Sequence, residues 1–120
     1  MIKLDHLTVP VTDVKQSRDW YVGTLGLTVE FEIPDRQAVA VQDSVGFTLF
    51  LQQASGPVTP NGLALYFQVD DVDATFRALA ERAVPFAHPP QKAYWGYGAE
   101  LHDPDGYSIR LWDEPTMKRK

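Results

Sequence analysis

Residues 97–112 read YGAELHDPDGYSIRLW, and the turn at their centre, Asp103-Pro104-Asp105-Gly106, decides the fold. Proline presets φ at the second position, aspartate tolerates the third, and glycine accepts the left-handed conformation that closes a three-residue loop with a bulge. On that geometry Asp103 faces Tyr107, His102 opposes Ser108 and Glu100 opposes Arg110. Facing residues share one side of a sheet. Glu100, His102, Ser108, Arg110 and Trp112 therefore line one face, and Leu101, Ile109 and Leu111 the other. One face is apolar and the other carries chemistry.

Working outward, the same plan occurs twice. Leu4–Val11 alternates as a strand, with Leu7, Val9 and Val11 on one face and His6, Thr8 and Pro10 on the other. Thr12 or Asp13 caps a helix, with Asp13 and Gln16 resembling a capping box. Val14, Ser17, Tyr21 and Leu25 follow at helical spacing, and Gly23 and Gly26 end it. Strands follow at 27–33, 38–41 and 47–52. The Pro/Gly/Ser-rich stretch 54–62 (ASGPVTPNG) reads as a linker, after which the order restarts. A strand at 63–69, a helix capped by Asp71, a strand at 84–88 and the opening hairpin complete the second set. Matching Val11 to Val69 gives an offset of 58, and matching Gly46 to Gly106 gives 60. The pattern predicts an α+β fold of two βαβββ modules, about 3–53 and 63–113, in one domain over 1–120 with a frayed tail at 114–120. A helix covers one side of each curled mixed sheet, and the other sides line a cleft.

Composition narrows the functional classes. The 120 residues include no cysteine, which excludes disulfides, thiolate metal sites and a cysteine nucleophile and fits a reducing cytoplasm. The N-terminus, MIKLDHLTVPVTD, is too polar for a signal peptide or a membrane span. With a net charge of -5 and its one basic run at Lys118-Arg119-Lys120, the chain does not read as a nucleic-acid binder.

The stretch HLTVPVTDVKQSRDWYVGTLGL (6–27), followed by DPDGYSIRLW (103–112), resembles the vicinal oxygen chelate superfamily, which includes glyoxalase I, extradiol dioxygenases and fosfomycin and bleomycin resistance proteins. The similarity spans residues 3–113 and implies paired βαβββ modules and a homodimer. In the superfamily's metalloenzymes a divalent metal is held by His or Glu on the first and last strands of each module. Carried over, those positions are His6, Phe50, Ala64 and Arg110, of which His6 alone can ligate. The expectation is therefore no metal cofactor, with a displaced His6, Glu100, His102 site as the alternative. Residues 45–69, with Tyr94-Trp95-Gly96, are closer in order and spacing to bleomycin resistance proteins, which sequester a drug without catalysis, but depart from them at Tyr97 and Glu100.

The leading expectation is a small-molecule binder, with antibiotic resistance as the implied role. The rival is a metal-dependent glyoxalase-like lyase or isomerase, or a dioxygenase. Strand alternation places Phe50, Tyr66, Glu100, His102, Arg110 and Trp112 on the ligand-facing side of a partly planar ligand. Trp95, in a loop over 89–98, reads either as an aromatic lid or as an anchor. Trp20 reads as core or dimer contact, and His88 as exposed in a Pro-rich loop. Arg110 is either the partner of Glu100 or a clamp for an anionic or carbonyl group. His6 is either structural or a hydrogen-bond donor or general base near Glu100.

Overall fold

The computed structural model describes residues 1–117, so the Lys118-Arg119-Lys120 run lies outside the described residues. The chain divides into two compact units, the first ending at Thr59 and the second starting at Pro60. In the first, β1 (His6–Val11), α1 (Val14–Leu25), β2 (Thr28–Ile33), β3 (Ala38–Gln42) and β4 (Thr48–Gln53) form one βαβββ module. Its sheet order is β1-β4-β3-β2, with β1 and β4 parallel and the other pairs antiparallel. In the second, β5 (Ala64–Gln68), α2 (Val72–Glu81), β6 (His88–Ala93), β7 (Gly96–His102) and β8 (Ser108–Trp112) repeat it with the order β5-β8-β7-β6.

The repeat holds residue by residue. His6 pairs with Thr48 in the first module and Ala64 with Ser108 in the second, which reproduces the offsets of 58 and 60. Asp13 Oδ1 accepts from the Gln16 N–H at 3.1 Å, and Asp71 Oδ1 from the Ala74 N–H at 3.0 Å, each capping its helix. Gly26 ends α1 in the left-handed region at φ 76°, whereas Gly23 lies inside the helix and does not stop it.

Each core lies between a helix and the apolar face of its sheet. Val9, Val11, Tyr21, Val41 and Leu51 are fully buried in the first module, and Val72, Ala99, Leu101 and Ile109 in the second. Burying each aliphatic side chain of this size contributes roughly 1.5–3 kcal/mol. The alternation in β1 and β8 turns Val9, Val11, Ile109 and Leu111 inward and leaves the other face to polar and aromatic side chains.

Two expectations need correction. The strand expected at 84–88 does not form. Residues 84–87 are irregular, and the strand β6 instead covers the segment expected to be a loop, His88–Ala93. Pro89 and Pro90 are tolerated because β6 is an edge strand and the register slips between His88 and Gln91, so neither missing N–H is needed by a ladder. The tail expected to fray at 114 begins instead with the short helix α3 (Glu114–Met117). Asp113, 2% exposed, caps it by accepting from the Thr116 N–H at 2.9 Å and from the Thr116 hydroxyl.

Candidate functional site

The predicted register of the last hairpin is the observed one. Glu100 pairs with Arg110 and His102 with Ser108. Continued across the sheet, one rung of the second module reads Tyr66, Arg110, Glu100, His88. The equivalent rung of the first module reads Thr8, Phe50, Ala40, Phe31. The same scaffold position is charged in one module and apolar in the other.

Arg110 is the hub of the charged rung. Its Nε donates to Glu100 Oε1 at 2.9 Å, one terminal nitrogen donates to the Tyr66 hydroxyl at 2.6 Å, and the other donates to the Tyr94 hydroxyl at 2.8 Å. The guanidinium carbon lies 5.3 Å from the ring centres of Tyr66 and Tyr94 and 5.4 Å from that of Trp95, within cation–π range. Trp95 meets Tyr66 edge-on at 5.6 Å and His88 at 6.1 Å. Three aromatic rings and a carboxylate thus form a box around one cation.

The electrostatics follow from this packing. The Glu100 and Arg110 side chains are only 15% and 12% exposed. Burial pushes the Glu100 carboxyl up, but the Arg110 hydrogen bond and charge outweigh it, with smaller help from His102 and His88, and hold Glu100 below its ordinary range. For Arg110, burial disfavours the cation, yet its bonds to Glu100, Tyr66 and Tyr94 leave its pKa raised. His102 Nε2 stands 3.5 Å from the second Glu100 oxygen.

Trp95 packs against the sheet. It sits with Tyr94 in a two-residue turn between β6 and β7, and its ring lies over Gly98. A Cβ on Gly98 would stand 2.5 Å from the indole and 2.2 Å from the Leu111 carbonyl oxygen, so only glycine leaves room for the ring. The loop expected over 89–98 is therefore a strand, β6, followed by a tight turn that sets the indole against Gly98. His88, expected in a loop, is the half-buried first residue of β6. Tyr94 went unrecognised in the sequence, because its role depends on the tight turn that replaces the expected loop. At 90% exposure it offers its outer face to solvent. A cavity of about 660 Å³ opens at this end of the hairpin between Lys92, Tyr94, Trp95, Tyr97, Asp73 and Thr116. Trp112 lies on the same face of β8 as Arg110, two residues on, and is half-buried.

In the first module His6, Thr48 and Phe50 line a cavity of about 650 Å³ with Glu30, Phe31 and Phe47. His6 Nδ1 is 2.9 Å from Asp5 Oδ2, and its ring is 5.7 Å from that of Phe50. Trp20, on α1, is half-buried and edge-on to Tyr21 at 5.1 Å.

The donor set does not fit the metal implied by the resemblance. Of His6, Phe50, Ala64 and Arg110, three carry no donor lone pair, and Arg110 is a permanent cation held in the box. Among the described residues no three His, Asp or Glu side chains gather as a ligand group. Also among the described residues, no helix is long and apolar enough to cross a membrane.

Repeated βαβββ modules with one helix-covered face and one functional face define a class of paired-module α+β proteins. The chain belongs to the Glyoxalase/Bleomycin resistance protein/Dioxygenase superfamily, whose family model matches residues 3–111. Among solved structures it is similar to TnmS3, an antibiotic binding protein from Streptomyces sp. CB03234, at 30% identity over 94% of this chain and 96% of that one, with a TM-score of 0.78. It is also similar to a superfamily member from Sphaerobacter thermophilus DSM 20745, at 28% identity over 94% and 98% of the two chains, with a TM-score of 0.76. A lactoylglutathione lyase from Agrobacterium tumefaciens shares the fold at 19% identity over 92% of each chain, with a TM-score of 0.72. A search of curated protein sequences gave no match.

Proposed function

We propose that this protein binds a small, partly planar organic molecule and sequesters it without chemistry and without a metal, as a cytoplasmic homodimer. The observation that carries this reading is Arg110: the position where metalloenzyme relatives hold a ligand instead carries a cation already bonded to Glu100, Tyr66 and Tyr94. Similarity to an antibiotic binding protein supports the same direction and makes an antibiotic or a comparable metabolite the class to test first.

The box preorganises the surface for such a ligand. Arg110 holds two phenol rings by their hydroxyls, so their faces are oriented before any ligand arrives, which lowers the ordering cost of binding. Tyr66 and Tyr94 are 48% and 90% exposed, and each ring face stacked on a planar ligand adds about 0.5–1.5 kcal/mol. Trp95 and Trp112 extend the aromatic grip, and Glu100, His102 and Arg110 orient polar groups of the ligand. An enzyme using Glu100 and His102 is the rival, supported by the approach of His102 to Glu100. Against it, the other Glu100 oxygen is bonded to Arg110.

Tryptophan fluorescence of the full chain, titrated with an acridine, a phenanthridinium and a glycopeptide drug, tests this. Saturable quenching by at least one, weakened in both Trp95→Phe and Tyr66→Ala, is expected. Absence of quenching by all three contradicts the reading.

A further inference from the structure

Glu30 is the extra residue of a β-bulge. The register of β2 against β3 slips between Val29, which pairs with Val41, and Phe31, which pairs with Ala40. Bulges re-aim side chains, and this one brings the Glu30 carboxylate to Thr48 on β4, whose hydroxyl donates to Glu30 Oε1 at 2.9 Å. Beyond the bulge, Phe31 and Phe50 stand on either side of Ala40 on one rung, with ring centres 6.3 Å apart. The small Ala40 side chain leaves the space above the sheet to the two rings. Glu30, Phe31, Phe50, His6, Phe47 and Thr48 border the cavity of about 650 Å³.

The charges around this cavity are unequally matched. Asp5 is bonded to His6, which holds its carboxyl below the usual range, and Lys3 adds to that attraction. Glu32, one residue beyond Phe31, is paired with Arg18 at 2.9 Å. Lys3 also borders the cavity, but among the described residues Glu30 forms no ion pair, and the Thr48 hydroxyl donates to it. A carboxylate held by a hydroxyl and by no ion pair, beside two phenyl rings, is a complementary surface for a cation that carries hydrocarbon.

We propose that the first module has its own recognition site for an organic ammonium, with the charged nitrogen on Glu30 and the attached ring or alkyl group on Phe31 and Phe50. The site goes beyond the reading of the Arg110 box and does not depend on it. It selects by charge: a protonated arylalkylamine binds, whereas the neutral alcohol and the carboxylate of the same shape do not.

The test is an amide-resolved NMR titration of the full chain with phenethylammonium, 2-phenylethanol and phenylacetate. Phenethylammonium is expected to shift amides of β2 and β4 saturably and to bind more weakly as salt rises, because the site is open to solvent. Glu30→Gln, on an exposed edge position, should fold normally by circular dichroism and lose roughly tenfold or more in affinity, as expected for removal of a charge-assisted contact. Phe31→Ala should lose several-fold, and quenching of Trp95 by planar drugs should be unchanged in both variants. The proposal is overturned if Glu30→Gln binds like wild type or if phenylacetate binds as well as the amine. Shifts confined to residues 60–117 overturn it too. So does an absence of binding with the β2 amides protected in a concentration-dependent dimer, which would assign the face to a second copy.

Discussion

Arg110 directs three hydrogen bonds at Glu100, Tyr66 and Tyr94, and the consequences of removing either charged partner differ from those of an exposed ion pair. With both side chains largely buried, Glu100→Gln leaves the guanidinium without a counter-charge and should cost about 2–3 kcal/mol in chemical denaturation. The pH dependence follows from the direction of the Glu100 shift. Its folded pKa lies below the ordinary 4.5, so the ionised form stabilises the fold fully above that pH, and the contribution is lost as pH falls through the folded value. The stability gap between wild type and Glu100→Gln should therefore be constant above pH 4.5 and close below it, in urea melts across that range. Gly98 is the second sensitive residue. Its missing Cβ is what admits the indole of Trp95, so Gly98→Ala should cost about 3 kcal/mol and red-shift Trp95 emission as the ring is displaced.

The elements reveal how far the duplication extends. Asp43 Oδ1 accepts from the Val45 and Phe47 N–H groups, and Asp103 Oδ1 accepts from those of Asp105 and Tyr107, so one turn is built twice by the same aspartate. A side chain at the end of each module's final strand ties down the start of that module's own helix. Gln53 Oε1 accepts from the Val14 N–H at 3.0 Å, and Asp113 Oδ2 accepts from the Val72 N–H at 2.7 Å. Since Asp113 is buried and serves both α2 and α3, Asp113→Ala should lower stability by about 2–4 kcal/mol, measured by thermal unfolding, and Gln53→Ala by about 1 kcal/mol. The hairpin register is legible because Asp-Pro-Asp-Gly permits few turns, and the turn alone sets Glu100 opposite Arg110. β6 was not legible: two prolines read as a loop, and only the edge position and the register slip make them compatible with a strand. The aromatic box was half legible for the same reason. Tyr66, Glu100 and Arg110 follow from alternation, whereas Tyr94 and the packing of Trp95 on Gly98 depend on the tight turn after β6.

At the scale of the molecule, one βαβββ plan is used twice with opposite chemistry on equivalent rungs, phenylalanines in the first module and a caged ion pair in the second. Membership of the superfamily supplies the scaffold, and the side chains at the ligand positions decide what each chain does with it. Of the positions that hold a metal in the superfamily's metalloenzymes, His6 alone carries a donor here, Phe50 and Ala64 carry none and Arg110 is a cation bonded to Glu100, which is the ground of the metal-free reading proposed above. Calorimetric titration of the same drug panel into protein stripped with EDTA, repeated after addition of zinc, manganese, nickel or iron(II), addresses this directly. Saturable binding by the stripped protein, unchanged by any added metal and weakened in Tyr66→Ala, is the predicted result. Binding or turnover that appears only once a divalent metal is restored would contradict it.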